Sequence, residues 1–371
     1  MRRAISGLAV GILAFSATAC DEPDETKALL KALEKTAVKT AHAAELKKPK
    51  VDINPRLLRR FAPLRSRVDS EHNSVTEAKT ELGRMLYFEK RLSKNQELSC
   101  NSCHILTEYG VDHSSFSTGH KAQKGGRNAP TVYNAAGFFA QFWDGRAETV
   151  EQQATGPILN PVEMALPSAE QGVRVLKSMP EYVERFNAAF PGDAHPITFD
   201  NVGRAIGAFE RKLTTPSRWD DYLKGKEDAL TDHELEGLKI FTNVGCMVCH
   251  TGEFVGGAMY QKVGIVEPWP NQKDQGRFEV TKQEVDRMMF KVPTLRNIEK
   301  TAPYFHDGSV AALDDAVRMM GKHQLGLNLS EREVGAVVAW LKSLTGTLPL
   351  EYVKEPALPP STATTPGPDA N

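Results

Sequence analysis

The sequence has little cysteine, no surplus charge of either sign and, past its first twenty residues, no long apolar run. Five Cys in 371 residues are too few to staple a chain of this length, which at roughly 150 residues per domain has room for two or three ordinary cores. Lys and Arg number 46 against 47 Asp and Glu, a formal charge of −1. That balance removes bulk electrostatic attraction to nucleic acid while leaving local patches free to select a protein partner. No segment downstream of residue 20 is apolar for long enough to span a bilayer. At 40% hydrophobic and 25% charged residues, the composition is that of a globular protein.

The ends read differently from the middle. Residues 1–20 have the build of an export signal: Arg2 and Arg3, an apolar run through Ile12, Leu13 and Phe15, then Ala17-Thr18-Ala19-Cys20. A periplasmic location follows. Cys20 after small residues resembles the lipobox of bacterial lipoproteins, where the thiol is acylated and anchors the chain to a membrane; Ala17 stands where that motif has Leu, and simple cleavage near Ala19 is the alternative. Residues 21–70 form a tether and N-terminal extension, the part up to Lys50 rich in Lys, Ala and Glu. Residues 347–371 end in a Pro-rich stretch among Ser, Thr and Ala, predicted to be disordered.

Four of the five cysteines occur in two copies of one pattern. Cys100-Asn101-Ser102-Cys103-His104 and Cys246-Met247-Val248-Cys249-His250 are both C-x-x-C-H, the attachment sequence for c-type haem, in which the thiols form thioethers and the His faces the iron. With this composition one chance copy is expected in roughly 2 of 1,000 sequences, so two copies are a signal. A zinc ribbon or a redox dithiol could use the C-x-x-C pairs, but neither needs a His after both.

The flanks repeat as well. Thr80-Glu81-Leu82-Gly83-Arg84-Met85-Leu86 precedes the first motif and Leu235-Glu236-Gly237-Leu238-Lys239-Ile240-Phe241 the second, each placing a Gly among apolar residues on a short helix. Thr231 with Glu234, and Ser330 with Glu333, read as capping boxes. The helix over 330–344 carries Val334, Val337, Val338, Leu341 and Leu344 on one stripe and is expected to cross the helix before the second motif. The fold expected is mainly α, with two cytochrome c-like domains, 71–212 and 213–346, each holding one covalently attached haem.

What fills the sixth iron position separates a catalyst from a carrier, and composition leaves that open. The segments Ser117-Thr118-Gly119-His120, Gly126-Arg127-Asn128-Ala129-Pro130-Thr131, Gln141-Phe142-Trp143-Asp144-Gly145-Arg146-Ala147, Asn160-Pro161-Val162-Glu163-Met164 and Lys291-Val292-Pro293-Thr294-Leu295-Arg296-Asn297 through Thr301-Ala302-Pro303-Tyr304-Phe305-His306-Asp307-Gly308 resemble those of bacterial di-haem cytochrome c peroxidases, from about Glu81 to Gly346.

The resemblance implies a peroxidatic haem at Cys100, Cys103 and His104 with His120 as its removable distal ligand, and an electron-transfer haem at Cys246, Cys249 and His250 with Met320 as its sixth ligand. Met319, its neighbour, is the competitor. It further implies Glu163 and Gln153 in the peroxide pocket, Trp143 between the haems, and a calcium ion held by Asn128 with the backbone oxygens of Thr301 and Pro303. His306 is expected to support a propionate or the contact between domains. Hydrogen peroxide is then the substrate, a small cytochrome c or cupredoxin the electron donor, and a homodimer the family's assembly. Two rival functions follow from the same haems: a plain electron carrier, and the related oxidase that modifies a partner protein and has Tyr where Met320 stands.

Overall fold

The computed structural model describes residues 28–29, 31–35 and 51–370. The chain divides into two units, Met1–Lys48 and Pro49–Asn371. In the first, the described residues are helical and exposed; the export signal, Cys20 and most of the tether lie outside the described residues. Among the described residues no helix is long and apolar enough to cross a membrane.

The second unit is mainly helical. Its first half contains α1 (Glu77–Phe88), a single turn Cys100–Cys103, α2 (Val150–Leu159), α3 (Ala169–Lys177), α4 (Pro180–Ala189) and α5 (Phe199–Glu210). Its second half contains α6 (Arg218–Leu223), α7 (Asp232–Asn243), α8 (Leu313–Met319) and α9 (Glu331–Ser343). The strands β1 (Tyr260–Lys262) and β2 (Met289–Lys291) pair antiparallel, Gln261 opposite Phe290.

Each half closes by the same crossing. On α1, a methyl group at Gly83 would come within 1.9 Å of the Ala205 carbonyl oxygen on α5; on α7, one at Gly237 would come within 1.8 Å of the Ala336 carbonyl oxygen on α9. Only glycine lets the backbones approach so closely, and Phe209 and Trp340 pack one turn further along the partner helices. The helix starts are sealed as the sequence predicts: Thr231 and Glu234 on α7, and Ser330 and Glu333 on α9, form complete capping boxes. Leu82, Leu86, Tyr87 and Phe209 lie in one core; Trp219, Leu238, Val337 and Trp340 lie in the other.

The chain ends are exchanged between the halves. Phe61, from the N-terminal extension, enters the second core, with Trp219 edge-on at 5.3 Å and Trp340 at 6.4 Å. Leu64 N–H donates to Asp220 Oδ1 at 2.6 Å and Gly252 N–H to Arg60 O at 2.8 Å. The C-terminal stretch runs over the first half. Tyr352 stacks on Phe209 at 5.1 Å, Gln96 Nε2 donates to Pro366 O at 2.8 Å, and Asp369 N–H donates to Lys94 O at 2.9 Å. This corrects the expectation of a disordered tail. Proline bars helix and ladder, but leaves carbonyls and apolar side chains able to dock, and a chain stiffened by proline loses little entropy in docking.

Candidate functional site

The first C-x-x-C-H segment is a single helical turn. Ser99 and Ser102 cap it reciprocally, Ser99 N–H donating to Ser102 Oγ at 3.0 Å. Tyr87 Oη donates to His104 O at 2.8 Å, tying the turn to α1. His104 Nδ1 lies 3.3 Å from Gly110 O, an arrangement that orients the ring and leaves Nε2 for a metal. Burial pushes His104 below its ordinary value, against the backbone of Gly110, so the imidazole is a neutral donor. Burial pushes the Cys100 thiol up to about 12 and raises Cys103 too; neither pair of thiols forms a disulfide.

Two loops meet beside Cys103. The loop carrying His120 is stitched to the one carrying Glu163: His120 N–H donates to Glu163 O at 2.8 Å, and a methyl group at Gly119 would come within 2.0 Å of Val162 O. Ser117 and Glu163 both act on the Cys103 thiol. His120 is buried, and the two residues after it, Lys121 and Ala122, both adopt positive φ, a conformation disfavoured for side-chain-bearing residues. Glu163 is half-buried; burial raises its carboxyl above the usual range, opposed by Arg146. Its turn folds back on the end of α2, with Glu163 N–H donating to Asn160 O at 3.0 Å. Gln153 lies earlier on α2, half-buried, and its side chain makes no hydrogen bond to Glu163 or His120.

The second C-x-x-C-H segment borders a cavity of about 230 Å³ lined by Cys246, Cys249, His250 and Met320. Burial pushes His250 down to about 4, and its Nδ1 is buried without a hydrogen-bond partner. Met320 opens a π-helical turn, Met320–Gln324, that continues α8; such turns displace a side chain from helical register. Met319 does not line this cavity and packs against the cluster of Tyr304, Val310 and Ala316.

The donor set of each segment, two thiols and a neutral buried imidazole, fits a covalent haem, and the apolar cavity at the second fits a large flat ligand. A zinc ribbon would need the two pairs together. Among the described residues, no group of three or more His, Cys, Asp or Glu could hold a metal ion.

Trp143 lies at the seam. Its indole donates to Asn128 O at 2.9 Å and its carbonyl accepts from Lys291 N–H at 2.7 Å, so one residue joins the first half to β2. It lines the cavity together with Asn128, Thr301, Pro303 and His306. Asn128 Nδ2 donates to Ser114 O at 3.0 Å, which leaves its oxygen available to a hard cation.

Several charged residues at the site have no role that the sequence assigns, although Arg127, Asp144, Lys291 and Arg296 lie within the recognised segments. Arg127, next to Asn128, pairs with Asp144 and with Asp274 in the second half at 2.6 Å. Arg296 and Asp220 form a wholly buried bidentate pair at 2.8 and 2.9 Å. Burial pushes the Asp220 carboxyl up, and the Arg296 hydrogen bonds and charge more than reverse this. Lys291, 6% exposed, is pushed down to about 8 by burial. Arg127 reaches Asp274 across 147 positions and Arg296 reaches Asp220 across 76, beyond the reach of any local pattern.

A family model described as di-haem cytochrome c peroxidase matches residues 77–228. A cytochrome c551 peroxidase of Nitrosomonas europaea is 50% identical over 288 residues, covering 77% of this chain and 85% of that one. A cytochrome c551 peroxidase of Pseudomonas aeruginosa is 46% identical over 316 residues, covering 83% and 90%. Among solved structures, a MauG-like protein associated with microbial copper homeostasis superposes with a TM-score of 0.69 at 28% identity, covering 84% of this chain and 98% of that one. With the repeated haem-attachment segments, the paired helix crossings and relatives this similar over most of their length, the chain belongs to the di-haem cytochrome c peroxidase family.

Proposed function

We propose that the protein is a periplasmic cytochrome c peroxidase, reducing hydrogen peroxide with two electrons and two protons to two waters. The electrons come from a small cytochrome c or cupredoxin. The observation that carries this reading is the backbone bond from His120 to Glu163, which joins a removable ligand and a proton-carrying carboxyl in one unit beside Cys103. Cys100, Cys103 and His104 would hold one haem c, which would supply the iron for peroxide reduction, and Cys246, Cys249, His250 and Met320 would hold another, which would relay the electrons.

The protein's own groups do the rest. His120 would be the removable ligand of the haem at Cys100, Cys103 and His104, given up once the other centre is reduced; the positive φ of Lys121 and Ala122, disfavoured for residues with side chains, makes its loop the segment to yield. Glu163 takes the proton from the inner peroxide oxygen and delivers it to the outer one, so that water leaves. Its raised pKa suits a group that must both accept and give up a proton near neutral pH. Gln153 orients the peroxide. Trp143 stands on the path between the centres, and Asn128 with the backbone oxygens of Thr301 and Pro303 would hold a calcium ion that would stiffen the seam.

Peroxide turnover with reduced donor, measured before and after stepwise reduction, tests the reading. His120→Gly is expected to turn over without the reductive lag. A lag that persists would remove ligand withdrawal from the mechanism, and absence of turnover in the wild type would leave the electron-carrier reading. Met320, in place of the Tyr of the protein-modifying oxidases, favours the peroxidase over that alternative.

A further inference from the structure

Four lysines and arginines among the described residues are buried: Lys79, Arg211, Lys291 and Arg296. Three have oxygen partners. Lys79 Nζ donates to Asn73 Oδ1 at 3.2 Å, Arg211 to Glu151 at 2.7 and 2.9 Å, and Arg296 to Asp220 at 2.8 and 2.9 Å. Lys291 is the exception. Its ammonium lies 4.7 Å from the centroid of the Phe138 ring, and no oxygen accepts from it. A ring face offsets only a fraction of what stripping water from an ammonium costs, so a stronger partner belongs there.

The surroundings define that partner. Lys291 lines the same cavity as Cys249, His250 and Met320. Its backbone N–H donates to Trp143 O, which anchors the root of the side chain at the cavity wall. His306 lines the cavity too, 3% exposed and stacked on Phe290, the residue before Lys291, at 4.2 Å; its Nε2 is buried without a partner. The Lys291 ammonium, with no oxygen partner, and the unpartnered His306 Nε2 belong to residues that line one apolar cavity. They call for a small anion attached to a large apolar body.

We infer that Lys291 is a haem-binding residue, its ammonium pairing with a propionate carboxylate of the haem held at Cys246, Cys249 and His250. The inference rests on the haem reading above and adds to it a charge partner that the C-x-x-C-H pattern does not contain. A cation against the propionate favours the reduced haem, so Lys291 also raises the potential of the electron-accepting centre.

The test uses the purified holoprotein as wild type, Lys291→Met, Lys291→Gln and Lys291→Arg. Mass and optical spectra first establish whether both haems are attached. Resonance Raman spectra then follow the propionate bending bands, and a reductive titration gives the two midpoints. In Lys291→Met a propionate band is expected to move and the midpoint of the His250 haem to fall, with the other midpoint unchanged; Lys291→Arg keeps both near wild type. If Lys291→Met does not accumulate, Lys291→Gln reads the same band. Unmoved bands in a neutral variant with both haems attached overturn the inference while leaving the di-haem reading intact. A wild type lacking a haem at Cys246 and Cys249 overturns both.

Discussion

In the first half α1 crosses α5 at Gly83 and Ala205; in the second α7 crosses α9 at Gly237 and Ala336, with Phe209 and Trp340 four residues beyond. The crossings correspond at these three positions, and the next position shows where the halves part. Glu210 follows Phe209, whereas Leu341 follows Trp340. Both are buried, but burial raises the Glu210 carboxyl from 4.5 to about 8, with Glu151 adding to the shift and Arg211 opposing it. Beyond the C-x-x-C-H segments the halves differ more. The first faces a loop tied by backbone bonds to a carboxyl-bearing turn, and the second faces a methionine at the start of a π turn. One scaffold, used twice, fixes the attachment segments; the divergent loops opposite them set what each can do.

The largest effect should come from the loop side. Glu163→Gln is expected to keep both haems and lower peroxide turnover by about 10²- to 10⁴-fold, the range of a lost proton-transfer group; unaltered steady-state rates would remove Glu163 from the chemistry. On the shared scaffold, Gly83→Ala and Gly237→Ala should each destabilise by about 3 kcal/mol, since the methyl group meets a backbone oxygen that cannot step aside. Urea unfolding of the two variants would break the comparison if only one crossing proved sensitive.

Glu210→Leu makes the first crossing resemble the second. In the wild type the folded state keeps its proton up to pH of about 8, while the unfolded chain ionises above 4.5. Stability attributable to this group is therefore full below pH 4.5 and drains away as pH rises towards 8. The leucine variant should flatten that slope and gain on the order of 2–4 kcal/mol relative to wild type at pH 9, read from melts at pH 4 and pH 9; parallel pH profiles would refute it. The smallest effect is expected from ending the chain at Lys354, which removes the contacts of Arg91, Lys94, Gln96 and Ser178 with the tail. A loss of about 1 kcal/mol, with hydrogen exchange rising only around residues 91–96 and Ser178, would tie the tail to the first half.

Much of the second half was legible in its sequence. The capping boxes at Thr231 and Ser330 and the apolar stripe from Val334 to Leu344 are local signals, and the structure has those helices where the patterns put them. Its counterpart α5 was not legible, because Gly203 and Gly207 weaken the helical pattern. Those glycines answer a distant need: a methyl group at Gly203 would come within 2.5 Å of Glu151 O, and one at Gly207 within 2.6 Å of Glu151 Cγ, so α2 can lie against α5 only over bare backbone. The same holds at the site. His120, Glu163, Arg127 and Lys291 all sit in recognisable segments, but the bond between His120 and Glu163 joins residues 43 positions apart, and no segment names what Arg127 or Lys291 meets across the fold. Composition misjudged the tail for the opposite reason, since it registers the prolines and not the surface they meet.

The exchanged ends have a bearing on how the molecule comes into being. Phe61 leaves the ribosome long before Trp219 and Trp340, the rings it must reach, and Phe209 waits for Tyr352, made 143 positions later. Neither half can be finished from its own stretch of chain. A cut between residues 212 and 213 would yield two fragments, each carrying a piece of the other's core, so the pair should mature as one cooperative body rather than as two independent cytochromes.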